Sequence, residues 1–311
     1  MPQLTSEAFS NAANFITDRA RPLERALFDF HFGSGSNADV LAELKKFQNE
    51  DGGFGHGIEP DLRMPFSSPF STSVAFQVLR ELDVPGDHEM VQDGIGYLER
   101  SYDRSVGGWE PTGPSANEFP HAPWWNYEPP PNEGRLNLLA QSNPGAELAG
   151  YLTLYSEQVN TGFVEEVVSS ALATFDRLPD DMEFHAMMCY MRLAEMADVA
   201  ETPRKAVAQR LLPKLRRGVH LVTSDSPDDW KAYGGLPLWF AATPNSLLSP
   251  ELALSIPIQL DYEIENQTDD GSWQPNWAWG QYDDDWPLAK VEWAGHLTLR
   301  NLLTLKAWGR L

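Results

Sequence analysis

Two short stretches of this 311-residue chain concentrate residue types suited to acid–base chemistry. The first is His56-Gly57-Ile58-Glu59-Pro60-Asp61, in which two carboxylates and a histidine share a loop stiffened by glycine and proline. Like charges held close together raise one carboxyl pKa, so such a group can divide into a general acid and a general base. Turn and cap chemistry competes with that reading, because acidic residues beside glycine and proline commonly serve it. Arg63 stands two residues further on as a local ion-pair partner.

The second stretch runs from Trp273 to Trp286 and sets Trp277, Trp279 and Trp286 around Asp283, Asp284 and Asp285. Aromatic faces stabilise a cation through the ring quadrupole, and a carboxylic acid among them loses hydration and keeps its proton at neutral pH. The same mixture suits a sugar, whose ring faces stack on aromatic side chains while acids accept its hydroxyls. Three consecutive aspartates can equally form a solvated turn. Glu292 and His296 follow one helical turn apart, and Trp124-Trp125-Asn126-Tyr127, Trp230-Lys231-Ala232-Tyr233-Gly234-Gly235 and Trp239-Phe240 add further aromatic lining or core. The expected catalytic set is therefore Asp284 and Asp285 as proton donor and partner, with Asp283 beside them, and Glu59 and Asp61 as a second pair near His56. Trp124, Trp125, Tyr127, Trp277, Trp279, Trp286, Glu292 and His296 are the expected substrate-binding residues. No His, Cys and carboxylate cluster has ligand spacing, so neither a metal nor a cofactor is expected.

The elements that must position these groups are helical. Val74, Ala75, Val78, Leu79 and Leu82 follow Ser71-Thr72-Ser73 at helical spacing and stop at Pro85-Gly86. Similar patterns predict helices over 6–18, 22–32, 38–48, 88–101, 145–157, 163–176, 182–196, 202–216, 250–266 and 294–305. No segment alternates with period two, so the class is all-α. Between the helices a motif recurs, as Gln48-Asn49-Glu50-Asp51-Gly52-Gly53-Phe54 and Gln267-Thr268-Asp269-Asp270-Gly271-Ser272-Trp273. Weaker copies are Asp103 with Gly107-Gly108-Trp109, and Gln158 with Gly162-Phe163. The leading positions step by 55, 55 and 109 residues, a period that fits one helical hairpin. Glycine permits the positive φ of a turn, the glutamine amide can bond exposed helix ends, and the aromatic packs over the turn. The motif is thus expected to be an architectural staple. Segment 110–144 carries eight prolines, cannot continue a helix, and is expected to form a lid or a cover.

A period near 55 leaves nothing over for a second domain, so residues 1–311 are expected to form one. The formal charge of −22, from 45 acidic and 23 basic residues, repels phosphate backbones and anionic headgroups and argues against nucleic-acid partners. Cys189 is the only cysteine, so no intrachain disulfide can form. With no signal-like N-terminus and no apolar run of spanning length, no stable membrane insertion and a cytoplasmic location are expected.

The repeated turns resemble the QW-type motifs of squalene and hopene cyclases and the Gln-x-x-x-Gly-Gly-Phe turns of protein prenyltransferase β-subunits. That resemblance implies an (α/α)6 toroid, six inner helices around a cavity and six outer helices around them, that binds an isoprenoid at one end. The prenyltransferases hold zinc with an Asp, a Cys and a His, but Met187 stands two residues before Cys189 where that Asp belongs. Class II cyclases protonate with the central Asp of Asp-x-Asp-Asp, and Asp283-Asp284-Asp285 is similar in residue type only. The expectation is a terpenoid-cyclase-like enzyme acting by protonation on a small hydrophobic substrate. The alternatives are a carbohydrate-active hydrolase or lyase on the same fold, and a non-catalytic ligand-binding toroid.

Overall fold

The computed structural model describes residues 2–129, 138–199 and 205–311. The described residues are helical, with isolated β-bridges and no strand. The helices are α1 (Ser6–Arg19), α2 (Pro22–Phe32), α3 (Asn37–Leu44), α4 (Pro69–Glu81), α5 (Glu89–Ser101), α6 (Leu138–Ser142), α7 (Gly145–Leu154), α8 (Thr161–Arg177), α9 (Phe184–Val199), α10 (Lys205–Val222), α11 (Pro237–Phe240), α12 (Ser255–Glu265) and α13 (Trp286–Ala307). No described helix is long and apolar enough to cross a membrane.

The chain divides into two compact units, the first formed by residues 1–46 with 223–311 and the second by 47–222. In the first unit α1 and α2 pack on α13, although more than 250 residues separate them. Thr5 caps α1 through a bond from the Ala8 amide, and Ser36 and Asp39 form a reciprocal capping box on α3. In the second unit α7 packs against α8 and α9, and α9 against α10. α7 is buried almost all round, which forces its one carboxylate, Glu147, to find partners inside: the Tyr151 hydroxyl at 2.6 Å and Arg192 Nη1 at 2.7 Å.

Each full copy of the repeated motif closes the same turn. Gln48 Nε2 donates to the Gly52 carbonyl at 2.9 Å and to the Met90 carbonyl of α5 at 3.2 Å. Gln267 Nε2 donates to the Gly271 carbonyl at 2.7 Å and to the Ala8 carbonyl of α1 at 2.9 Å. Gly52 and Gly271 have φ of 85° and 87°. A Cβ on either would lie 2.2 to 2.3 Å from helix backbone, at Asp93 of α5 and Asn11 of α1, so glycine is required twice over. The backbone of the aromatic residue then ties the turn to a later helix: the Phe54 amide donates to Thr72 Oγ1 of α4 at 3.1 Å, and the Trp273 amide to Thr298 Oγ1 of α13 at 3.0 Å. In the third copy Gly107 keeps the positive φ and Trp109 Nε1 bonds the Leu98 carbonyl, as Trp273 Nε1 bonds that of Glu263. The fourth copy differs. Gly162 and Phe163 belong to the first turn of α8, where Asn160 caps the Gly162 amide at 2.9 Å, and Gln158 bonds Gln92 instead.

The described part of the proline-rich stretch lies along residues 59–70 of the same unit. The Arg63 amide donates to the Pro120 carbonyl, the Ala122 amide to that of Asp61, and the Phe70 amide to that of Pro111. Leu62, Met64 and Ala116 form a small core there, with Phe119 and Trp125 packed on it. Residues 130–137 of the stretch lie outside the described residues. Its end is helical, because residues 138–142 carry no proline and can form α6 before Pro144.

Candidate functional sites

In the second unit, the loop between the first staple and α4 carries His56, Glu59, Asp61 and Arg63. Glu59 and Asp61 are 6% and 2% exposed, so both carboxylates are removed from solvent. His56 stays exposed in a left-handed conformation, φ 56°, with its Nε2 on Asn49 Oδ1 at 2.8 Å. The bridge between Leu62 and His121 brings a further buried histidine beside Asp61 in the chain pairing. His121 Nδ1 faces the Phe119 carbonyl at 2.6 Å, and Nε2 faces Asn126 Oδ1 at 2.7 Å. Trp125 packs on Phe70 with the rings tilted by 52° and their centroids 4.1 Å apart. Trp124 is exposed, and Tyr127 is pinned by backbone bonds to Asn117.

In the first unit, Asp283 and Asp284 are exposed and Asp285 is half-buried at the N-cap of α13. Tyr282 turns the chain there with φ 53°, and its carbonyl accepts from the Asp285 and Trp286 amides. Negative charge at a helix N-terminus is favourable, so the three aspartates suit the start of α13 as a solvated turn. Trp279 is buried and lies 5.6 Å from Trp286.

The same unit assembles a second group around α13. Trp239 of α11 lies 6.2 Å from Tyr233, which lies 5.3 Å from Trp277. Trp277 lies 5.1 Å from Trp293 of α13, and Trp293 meets the His296 ring edge-on at 5.5 Å. Tyr233 is exposed and the other four rings are half-buried, so the row forms an open track. Gly295 permits this placement. A Cβ there would lie 2.7 Å from Ala20 Cβ, so α13 approaches closely the junction of α1 with the start of α2.

That start holds a buried ion pair. Arg21 Nε donates to Glu24 Oε2 at 2.9 Å and Nη2 to Oε1 at 2.5 Å, with Glu24 only 2% exposed. Burial works to raise the Glu24 carboxyl, but the Arg21 charge and hydrogen bond, with the charge of His296, outweigh it and hold it below its ordinary value. Glu292 lies one turn before His296 on α13. Trp277, Glu292 and His296 were legible as candidates in the sequence, whereas Trp293, Arg21 and Glu24 were not. Arg21-Pro22-Leu23-Glu24 reads simply as a helix start, with proline at N1 and an acid in the first turn. Among the described residues no three His, Cys, Asp or Glu side chains converge as a metal site requires. No family model, curated protein or solved structure matches the chain.

Proposed function

We propose that the protein is a carbohydrate-active enzyme, a hydrolase or lyase, built on an (α/α)6 toroid. The observation that carries this reading is the open aromatic track Trp239–Tyr233–Trp277–Trp293, ending at His296 with Glu292 and the Arg21–Glu24 pair. Half-exposed rings offer stacking platforms to a wetted sugar, and the polar groups at one end suit hydroxyls and proton transfer. In hydrolysis, the His296 imidazolium gives its proton to the bridging oxygen as the sugar C–O bond breaks. Glu292 takes a proton from the water whose oxygen bonds to that carbon. The toroid is supported by the staples, since α1 serves the last motif as α5 serves the first.

A protonation-initiated terpenoid cyclase is the second reading, favoured by the buried Glu59 and Asp61 in the same segment as the Trp125–Phe70 ring contact. Incubation with a panel of soluble polysaccharides, followed by assays for new reducing ends and for unsaturated products absorbing in the ultraviolet, separates the two. Turnover that His296→Gln abolishes supports the carbohydrate reading. Turnover of farnesyl or geranylgeranyl diphosphate that Asp61→Asn abolishes, with no action on any polysaccharide, replaces it.

A further inference from the structure

We infer that Gln259 is a positioning residue of the aromatic track, its buried carboxamide capping the short helix that carries Trp239 and tying that helix to α13, which carries Trp293. This rests on the carbohydrate reading for what the track binds, but the cap itself is a property of the free protein. α11 is four residues long, too short to hold its shape through its own backbone bonds. Its entry residue, Leu236, gives no side-chain cap and Pro237 has no N–H, so the Leu238 amide is the first donor that needs a partner. Gln259 of α12 supplies it. The Leu238 amide donates to Gln259 Oε1 at 2.7 Å, with both residues buried. A cap that the residue before a helix usually lends is here lent by another helix.

The Gln259 carboxamide can face only one way. Its oxygen accepts from Leu238, so its nitrogen turns to the buried Glu263 carboxyl one turn on, where Nε2 donates to Oε1 at 3.0 Å. A flipped amide would set its NH2 against the Leu238 N–H. The other Glu263 oxygen accepts from Asn301 Nδ2 of α13 at 3.0 Å, so one chain of bonds runs from α11 through α12 to α13. Its two ends bracket the track. Trp239 directly follows Leu238 and is the one half-buried residue of α11, and Trp293 lies about two turns before Asn301. Beyond the other end of α11, Trp308 Nε1 donates to the Ala241 carbonyl at 3.1 Å, a second anchor that leaves the Leu238 amide to Gln259.

The test is fluorine NMR of the full chain labelled with 5-fluorotryptophan, with Trp239→Phe, Trp273→Phe and Trp109→Phe assigning three of the eleven tryptophan signals. Gln259→Met keeps the length of the side chain and removes both its acceptor and its donor. In that variant the Trp239 signal should shift or broaden, while Trp273, which bonds the Glu263 carbonyl, and Trp109 of the second unit keep theirs. A folded Gln259→Met protein with the parent's Trp239 signal would overturn the inference. Equal movement of Trp273 would overturn it too, because α12 as a whole would then have shifted. If Gln259→Met does not fold, hydrogen exchange of the parent decides. A Leu238 amide slowed about a hundredfold or more relative to an exposed amide supports the cap, and one that exchanges as an exposed amide does overturns it. No ligand enters either measurement. Failure to act on any polysaccharide would remove the carbohydrate reading and leave the cap standing.

Discussion

Gln267 donates from its side-chain amide to the Ala8 carbonyl at 2.9 Å, joining the last staple turn to the first helix across 259 residues of chain. The equivalent bond at the first staple, from Gln48 to Met90, spans 42 residues. One motif chemistry thus serves both a local and a distant partner. Each of these amides bonds two carbonyls, so Gln48→Ala and Gln267→Ala should each cost about 2 kcal/mol in urea unfolding. Gln158→Ala, whose residue closes no turn, should cost under about 0.5 kcal/mol. Equal costs at all three positions would show the staple assignment to be wrong.

Helix positions were largely legible because apolar spacing and caps were strong, as around Val74–Leu82, which lies within and just beyond α4. The four- and five-residue α11 and α6 were missed, since neither is long enough to show a period. The glutamine and glycine of each staple were legible because their chemistry is local. Their partners Met90 and Ala8 were not, because a carbonyl acceptor leaves no mark on residue type. The site was legible only in part. Trp277, Glu292 and His296 stood out by type and spacing, but Arg21 and Glu24 were hidden by an ordinary helix start, and α2 meets α13 only through tertiary packing.

The carboxylate of Glu147 should matter more than its position away from either candidate site suggests. Glu147→Ala leaves Arg192, a quarter exposed, without its buried partner and strips the Tyr151 hydroxyl of its acceptor. The expected loss is about 3 kcal/mol by chemical denaturation. Adding Arg192→Met should recover much of it, because the unpaired charge, rather than the missing contact, is the larger cost.

Cys189 is buried, and burial together with the Glu147 charge pushes its thiol well above its ordinary value. Alkylation at pH 8 should therefore be slow and should accelerate with urea in step with unfolding. Rapid labelling of the native protein would contradict this placement.

Stability should fall as pH rises from about 4.5 through about 7 for a traceable reason. Burial pushes the Glu263 carboxyl from 4.5 up to about 7, although Gln259 and Asn301 donate to it at 3.0 Å. The folded state keeps a proton that the unfolded chain releases. The contribution is thus complete below about pH 4.5 and lost as pH rises through about 7. Between pH 5 and pH 8 the parent should lose about 2–3 kcal/mol more than Glu263→Gln in urea unfolding. Parallel losses in the two proteins would remove Glu263 as the cause.

The aromatic track is tested most directly by ligand titration followed through intrinsic tryptophan fluorescence, comparing the parent with Trp277→Ala. A set of soluble oligosaccharides and farnesol are the probes. The expected result is saturable change with at least one oligosaccharide, weakened tenfold or more in Trp277→Ala, and none with farnesol. Saturable binding of farnesol alone, or oligosaccharide binding indifferent to Trp277, would contradict the assignment of this track to a carbohydrate.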